Sequence, residues 1–199
     1  MDDCDILGFN FPTENSKNNF RECIIEYLKV YEPLKSVQYY IEDYFEENIE
    51  GVMIRGYIDL YVIDGDYIDI YDYKSSSKFT AKDLETKKLQ LIIYAIALQK
   101  KYPNLKIRNL YFDMLKYTKN KRGTLIERNK SEEQEKRGYV KVKFDEDGIS
   151  SAKDFIKNTF NEIKELNPLV EFEWKANINK FFCQNICSNY KECKKGVFF

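Results

Sequence analysis

Between Ile68 and Lys74 apolar and polar positions alternate, so Ile68, Ile70, Asp72 and Lys74 share one face of a predicted strand over residues 67–74. An acid and an amine ending an otherwise apolar face are costly unless something pairs or uses them. The preceding apolar segment, residues 49–63, carries a second acid, Asp59. Gly65, flanked by Asp64 and Asp66, gives the two segments a hairpin turn, which accounts for those two acids without chemistry. An earlier strand over 36–47 is joined near Asn48 to Gly51.

Helical spacing follows from Ala81 to Lys101, with no glycine or proline inside and Pro103 just past the end. In this helix Gln90 and Tyr94 lie four apart, on one face, interrupting the apolar run of Leu89, Leu91, Ile92, Ile93, Ile96 and Leu98. A first helix is expected over Ser16 to Tyr31, with Phe20, Cys23, Ile24, Tyr27 and Leu28 on one face and Pro33 as its stop. Further strands are expected at Ile107 to Leu115 and Tyr139 to Phe144, separated by a charged loop around 119–137. The last helix, Ser150 to Leu166, has Phe155, Ile156, Phe160 and Ile163 as its expected buried stripe. Helix, three strands, helix, two strands and helix make an α/β domain. The expected domain is a single one spanning 1–199.

Two carboxylates and a lysine are what a magnesium-dependent phosphodiesterase needs: oxygen ligands for a hard cation, and a positive charge for the attacked phosphate. A surface hairpin with one salt bridge would explain Asp72 and Lys74 alone. The order of motifs goes further. Gly56 and Asp59 (Gly-x-x-Asp), Asp72 to Lys74 (Asp-x-Lys), then Gln90 and Tyr94 (Gln-x-x-x-Tyr) resemble the RecB-type branch of the PD-(D/E)XK nuclease superfamily. The resemblance implies a restriction-endonuclease-like mixed central sheet flanked by helices. It also implies Asp59, Asp72 and the Tyr73 carbonyl as ligands of Mg2+ or Mn2+, Lys74 as catalytic, and Gln90 and Tyr94 as supporting residues. Members often carry N-terminal helices with a metal-binding histidine. This chain has no histidine, so either that ligand is replaced or the chain is the C-terminal part of a larger protein. Glu26 on the first helix is a candidate replacement, against the simpler reading of a solvent-facing charge.

Composition suits a soluble globular chain, 43% hydrophobic and 33% charged, without an apolar run of membrane-spanning length or a basic N-terminal leader. A cytoplasmic location is expected. Net charge is only −1, but its distribution is uneven. Residues 1–73 hold 17 acids against 5 bases, whereas 116–143 hold 10 bases against 4 acids. Lys119, Lys121 and Arg122 in that basic segment are candidate nucleic-acid contacts, the alternative being a solvated loop.

Cys183, Cys187 and Cys193 fall within eleven residues of a polar tail, 181–199, too close together for packing to be their common purpose. Such thiolates bind zinc or an iron–sulfur cluster. The tail is similar to the iron–sulfur staple of several RecB-like nucleases, with one extra residue in its first spacing, which implies a 4Fe–4S cluster with Zn2+ as the alternative. Cys4 is the favoured fourth ligand, because Cys23 on the apolar helix face reads as a buried small hydrophobe.

The resemblance implies a metal-dependent deoxyribonuclease, exonucleolytic on single strands or duplex ends. Its partners would be DNA and either a helicase subunit or domain, or the proteins of CRISPR adaptation. No Walker-type phosphate loop occurs in the chain, so any motor would lie elsewhere. Two readings compete: an inactive nucleic-acid-binding or scaffold module that keeps the fold, and a zinc-stapled structural domain.

Overall fold

The computed structural model describes residue 11 and residues 13–31, 37–75, 78–130 and 137–166. Residues Met1–Ile156 form one compact unit and Lys157–Phe199 another. In the second unit the described residues are the final turns of a helix.

Helix α1 (Glu14–Val30) starts at Thr13, whose hydroxyl accepts the Ser16 N–H, and buries Cys23 and Tyr27. Three antiparallel strands follow: β1 (Gln38–Ile49), β2 (Val52–Asp64) and β3 (Tyr67–Lys74). The β1–β2 turn is a two-residue loop, Glu50–Gly51, with φ of 55° and 84°. Both signs match the primed turn that a twisted hairpin favours. Helix α2 (Ala81–Lys101) is fixed at its start by Thr80 and Asp83, which cap each other's backbone N–H groups. It crosses over to β4 (Lys106–Met114), which pairs parallel with β3, as a helical crossover allows. The short strands β5 (Tyr117–Lys119) and β6 (Leu125–Glu127) form a separate hairpin. Strand β7 (Tyr139–Val142) then pairs antiparallel with β4, and α3 (Glu146–Glu165) follows.

The main sheet has the order β1-β2-β3-β4-β7 and is mixed. On one face Ile68, Ile70, Leu110 and Phe112 pack with Leu91, Ala95 and Leu98 of α2, all essentially solvent-free. The other face carries Leu60, Val62 and Tyr71 with Tyr73, Tyr111 and Tyr139 around them. The expected α/β architecture with a mixed central sheet and flanking helices is present.

Two expectations need correction. The stretch around 119–137 is not all loop, since its first part folds as the β5–β6 hairpin, with strands of three residues that carry too little periodicity to be read. Helix α3 starts at Glu146, with the Asp145 carboxylate accepting the Gly148 N–H at 2.9 Å. It buries Gly148, Ala152 and Ile156, while Phe155, Phe160 and Ile163 are exposed. Small residues four apart face inward, and a Cβ on Gly148 would stand 3.0 Å from Ile92. Of the expected stripe Ile156 is buried, whereas Phe155, Phe160 and Ile163 lie off the buried face. Among the described residues no helix is long and apolar enough to cross a membrane.

Candidate active site

The paired ladder between β2 and β3 runs from Asp64 opposite Tyr67 to Leu60 opposite Tyr71. Asp59 and Asp72 occupy the next position, where that ladder ends. There the Asp59 carboxylate accepts the Tyr73 N–H at 2.9 Å, so a side chain takes over where backbone pairing stops. From this fork β3 continues along β4, whereas the outer part of β2 pairs with β1 alone, as a two-stranded arm.

The fork coincides with a change of face. On β1, Tyr40 and Phe45 both pack in the main core, five positions apart; on β2, Ile58 and Tyr61 do so, three apart. Strict alternation forbids both odd spacings. Register is kept, with Ile41 opposite Leu60 and Asp43 opposite Ile58, so both strands switch face at the rung of Glu42 and Asp59. Glu42 absorbs the switch with φ of 49°, a left-handed conformation that costs a non-glycine residue roughly 1 kcal/mol. Distortions of this kind re-aim a side chain beside the regular sheet, and here the re-aimed side chain is Asp59.

Asp72 is 1% exposed. Burial pushes its carboxyl above the usual range, the Lys74 ammonium pulls it back, and Asp59 adds to the rise. Lys74 forms an ion pair with Asp72 Oδ2 and makes a long hydrogen bond of 3.5 Å to Gln90 Oε1. Gln90 Nε2 donates to the Tyr94 hydroxyl at 2.8 Å. Burial, above all, keeps Tyr94 a neutral phenol. Because its oxygen accepts from Gln90, its own proton is free to point elsewhere. Five predicted residues, Asp59, Asp72, Lys74, Gln90 and Tyr94, are thus gathered into one constellation, with Tyr73 joined through its N–H.

Phe45 was not foreseen. Its ring meets Tyr94 edge-on and lies across Gly56, where a Cβ would come within 2.9 Å of the ring. The signal was the glycine itself: within a strand it marks a close approach by a neighbour.

Glu26 does not join the site. It pairs with Lys29 one turn along α1 at 2.6 Å, and at 16% exposure it is not solvent-facing either. Cys23 is fully buried, as a small hydrophobe would be. Cys4, Cys183, Cys187 and Cys193 lie outside the described residues. Lys119, Lys121 and Arg122 belong to the β5–β6 hairpin, with Lys121 and Arg122 exposed at its turn, which Asn120 closes by accepting the Arg122 and Thr124 N–H groups. The hairpin follows directly on β4, and the Leu115 N–H donates to the Lys74 carbonyl at 3.1 Å. Its base thus abuts the end of β3 that carries Asp72 and Lys74.

Among the described residues no group of three or more acids, cysteines or histidines is placed to hold a metal. The pair Asp59 and Asp72 nevertheless offers donors that suit a hard cation. Both are carboxylates, and the buried Asp72 Oδ2 has no aligned hydrogen bond besides its ionic contact with Lys74. A hard cation completes so sparse a protein set with water.

No curated protein matches the chain. A crystal structure from Eubacterium rectale, described as a "Putative exonuclease", is similar over 87% of this chain and 67% of that one, with 12% identity and a TM-score of 0.45. The family model of the PD-(D/E)XK nuclease superfamily matches residues 10–192. The chain belongs to the PD-(D/E)XK nuclease superfamily.

Proposed function

We propose that the protein is a divalent-metal-dependent deoxyribonuclease that hydrolyses phosphodiester bonds from DNA ends. The observation that carries this reading is the convergence of Asp59, Asp72 and Lys74 at the fork, with Gln90 and Tyr94 bonded in sequence behind the lysine. Asp59 and Asp72 would hold Mg2+ or Mn2+, with the Tyr73 carbonyl as a further candidate ligand. When bound, the cation neutralises phosphate charge and makes water a better nucleophile. Lys74 sets a second positive charge beside the attacked phosphate. Gln90 restrains the lysine, and Tyr94 fixes the orientation of the Gln90 amide while keeping a proton for the substrate. Lys119, Lys121 and Arg122 would meet the DNA backbone beyond the site.

The RecB-type motif order supports work with a helicase in repair or recombination, or in CRISPR adaptation. It also supports a 4Fe–4S or zinc centre on Cys183, Cys187 and Cys193, with Cys4 as fourth ligand. The deciding experiment offers end-labelled linear DNA and closed circular DNA to the protein with magnesium or manganese. An exonuclease degrades the linear substrate and spares the circle. Cutting of the circle would make it an endonuclease, and binding without cutting would make it an inactive DNA-binding module.

A further inference from the structure

Beside the catalytic residues, a groove of about 350 Å³ lies between the β1–β2 arm and α2. Its apolar lining comes from Phe45 and Ile54 on the arm, Ile93 on α2 and Phe155 on α3. Gln90 and Tyr94 line it as well, so the groove and the Lys74 ammonium share a wall. Lys87 also lines it, exposed and three residues before Gln90 on the same helix face. Among the described residues Lys87 has no carboxylate at ion-pair distance, and its side chain rests over the Phe79 ring.

We propose that this groove is a nucleotide subsite: it receives the base next to the scissile phosphate against Ile54, Ile93 and the exposed ring of Phe155, while Lys87 takes the adjoining phosphate. The proposal rests on the nuclease reading above and extends it. A polynucleotide with one phosphate at Lys74 must put its next sugar and base within one repeat of it, and the groove opens there. The volume lies at the small end of ligand pockets, suited to one nucleotide and not to a duplex. Apolar and aromatic walls bind the face of any base, whereas a base within a duplex has both faces covered by its neighbours. The site therefore selects unpaired nucleotides.

The test uses the full chain without divalent metal, so that nothing is cut. Fluorescence anisotropy compares a fluorescein-labelled oligothymidylate with the same strand made abasic throughout. A base in the groove makes the abasic strand bind about tenfold or more weakly, the effect expected for losing aromatic contact with a base. Thr86 is an exposed residue of the lining, and Thr86→Met would fill the groove without adding an aromatic face. It should bring oligothymidylate binding down to the abasic level and leave the abasic strand unaffected, whereas Lys87→Glu should weaken both. Equal binding of the two strands by the wild-type protein overturns the proposal, with no variant needed. Cleavage of the oligothymidylate, assayed with magnesium or manganese, separates the two readings. Cleavage without base dependence removes the subsite and keeps the nuclease. Base-dependent binding without cleavage does the reverse, and neither binding nor cleavage removes both.

Discussion

The Phe45 ring stands edge-on to Tyr94, with centroids 5.7 Å apart and planes at 77°. That contact connects three separate sequence motifs. Gly56 leaves room for the ring, the ring braces Tyr94, Tyr94 holds Gln90, and Gln90 holds Lys74 beside Asp72. The glycine of Gly-x-x-Asp thus acts on the lysine of Asp-x-Lys through a chain of contacts.

Gly56→Ala should destabilise the protein by roughly 1–3 kcal/mol, the usual cost of overpacking, and slow cleavage. Phe45→Leu in the same chain should recover part of the loss, since the smaller side chain gives way. Thermal midpoints of the four members of this cycle measure the coupling. Strictly additive midpoints would show that the glycine and the ring are independent.

Asp72→Ala and Lys74→Ala should each reduce cleavage by on the order of a hundredfold or more while leaving DNA binding largely intact, because both act on charge at the reacting phosphate. Single-turnover rates and binding curves on the same DNA separate the two effects. Wild-type rates in both variants would remove this pair from the site.

Replacing Lys119, Lys121 and Arg122 together by glutamate should weaken DNA binding and flatten its dependence on salt, since fewer counterions are released. Affinity measured over a range of salt concentrations gives the slope. An unchanged slope would make the hairpin turn a solvated surface with no part in binding.

Asp113 is fully buried, accepting hydrogen bonds from Tyr27 at 2.9 Å and Arg137 at 2.8 Å. Burial raises its carboxyl above the ordinary range, against the opposing pull of Arg137. In the unfolded chain this proton is lost first, so between the two pKa values only the folded protein keeps it. The group's contribution to stability therefore falls as pH rises through that window and is constant above it. Asp113→Asn has no such dependence. The midpoint of the variant minus that of the wild type should thus rise from about pH 4 towards neutrality. A difference that stays flat or falls contradicts the shift.

Cys187→Ser should abolish any metal centre in the tail and lower thermal stability, because a clip closing a long loop restricts the unfolded chain. Brown protein with iron and sulfide in near-equal amounts marks the cluster, and colourless protein with one tightly held zinc marks the alternative. Protein with neither metal, and no effect of the substitution, rules the centre out.

Much of this was legible because it repeats. The alternation from Ile68 to Lys74 and the uninterrupted pattern of α2 gave the elements carrying Asp72, Lys74, Gln90 and Tyr94. The face switch at Glu42 and Asp59 was not legible, since a rule of period two has no way to mark the rung at which two strands exchange faces together. Helix α3 misled for a related reason. Its contact is made by Ile156, which the stripe included, and by Gly148 and Ala152, whose smallness permits close approach but carries no weight beside large apolar residues. Lys87 lies three positions before Gln90 on the same helix face, and nothing in the sequence sets it apart from Lys82 and Lys88 beside it.

Because β1 and β2 change face on the same rung and remain in register on both sides, the arm beyond that rung turns Phe45, Ile49, Val52 and Ile58 into the same core as the sheet behind it. One end is set at Asp59, and the other is tied down where Lys153 pairs with Glu50 at 2.8 Å and Lys100 donates to the Asn48 carbonyl. Each added pair of opposed residues would lengthen the arm by about 3.3 Å, and adding two pairs would restore the inward and outward order at the tip. The hairpin is in this sense a ruler laid along α2, with its zero mark at Asp59 and its far mark held by those two lysines.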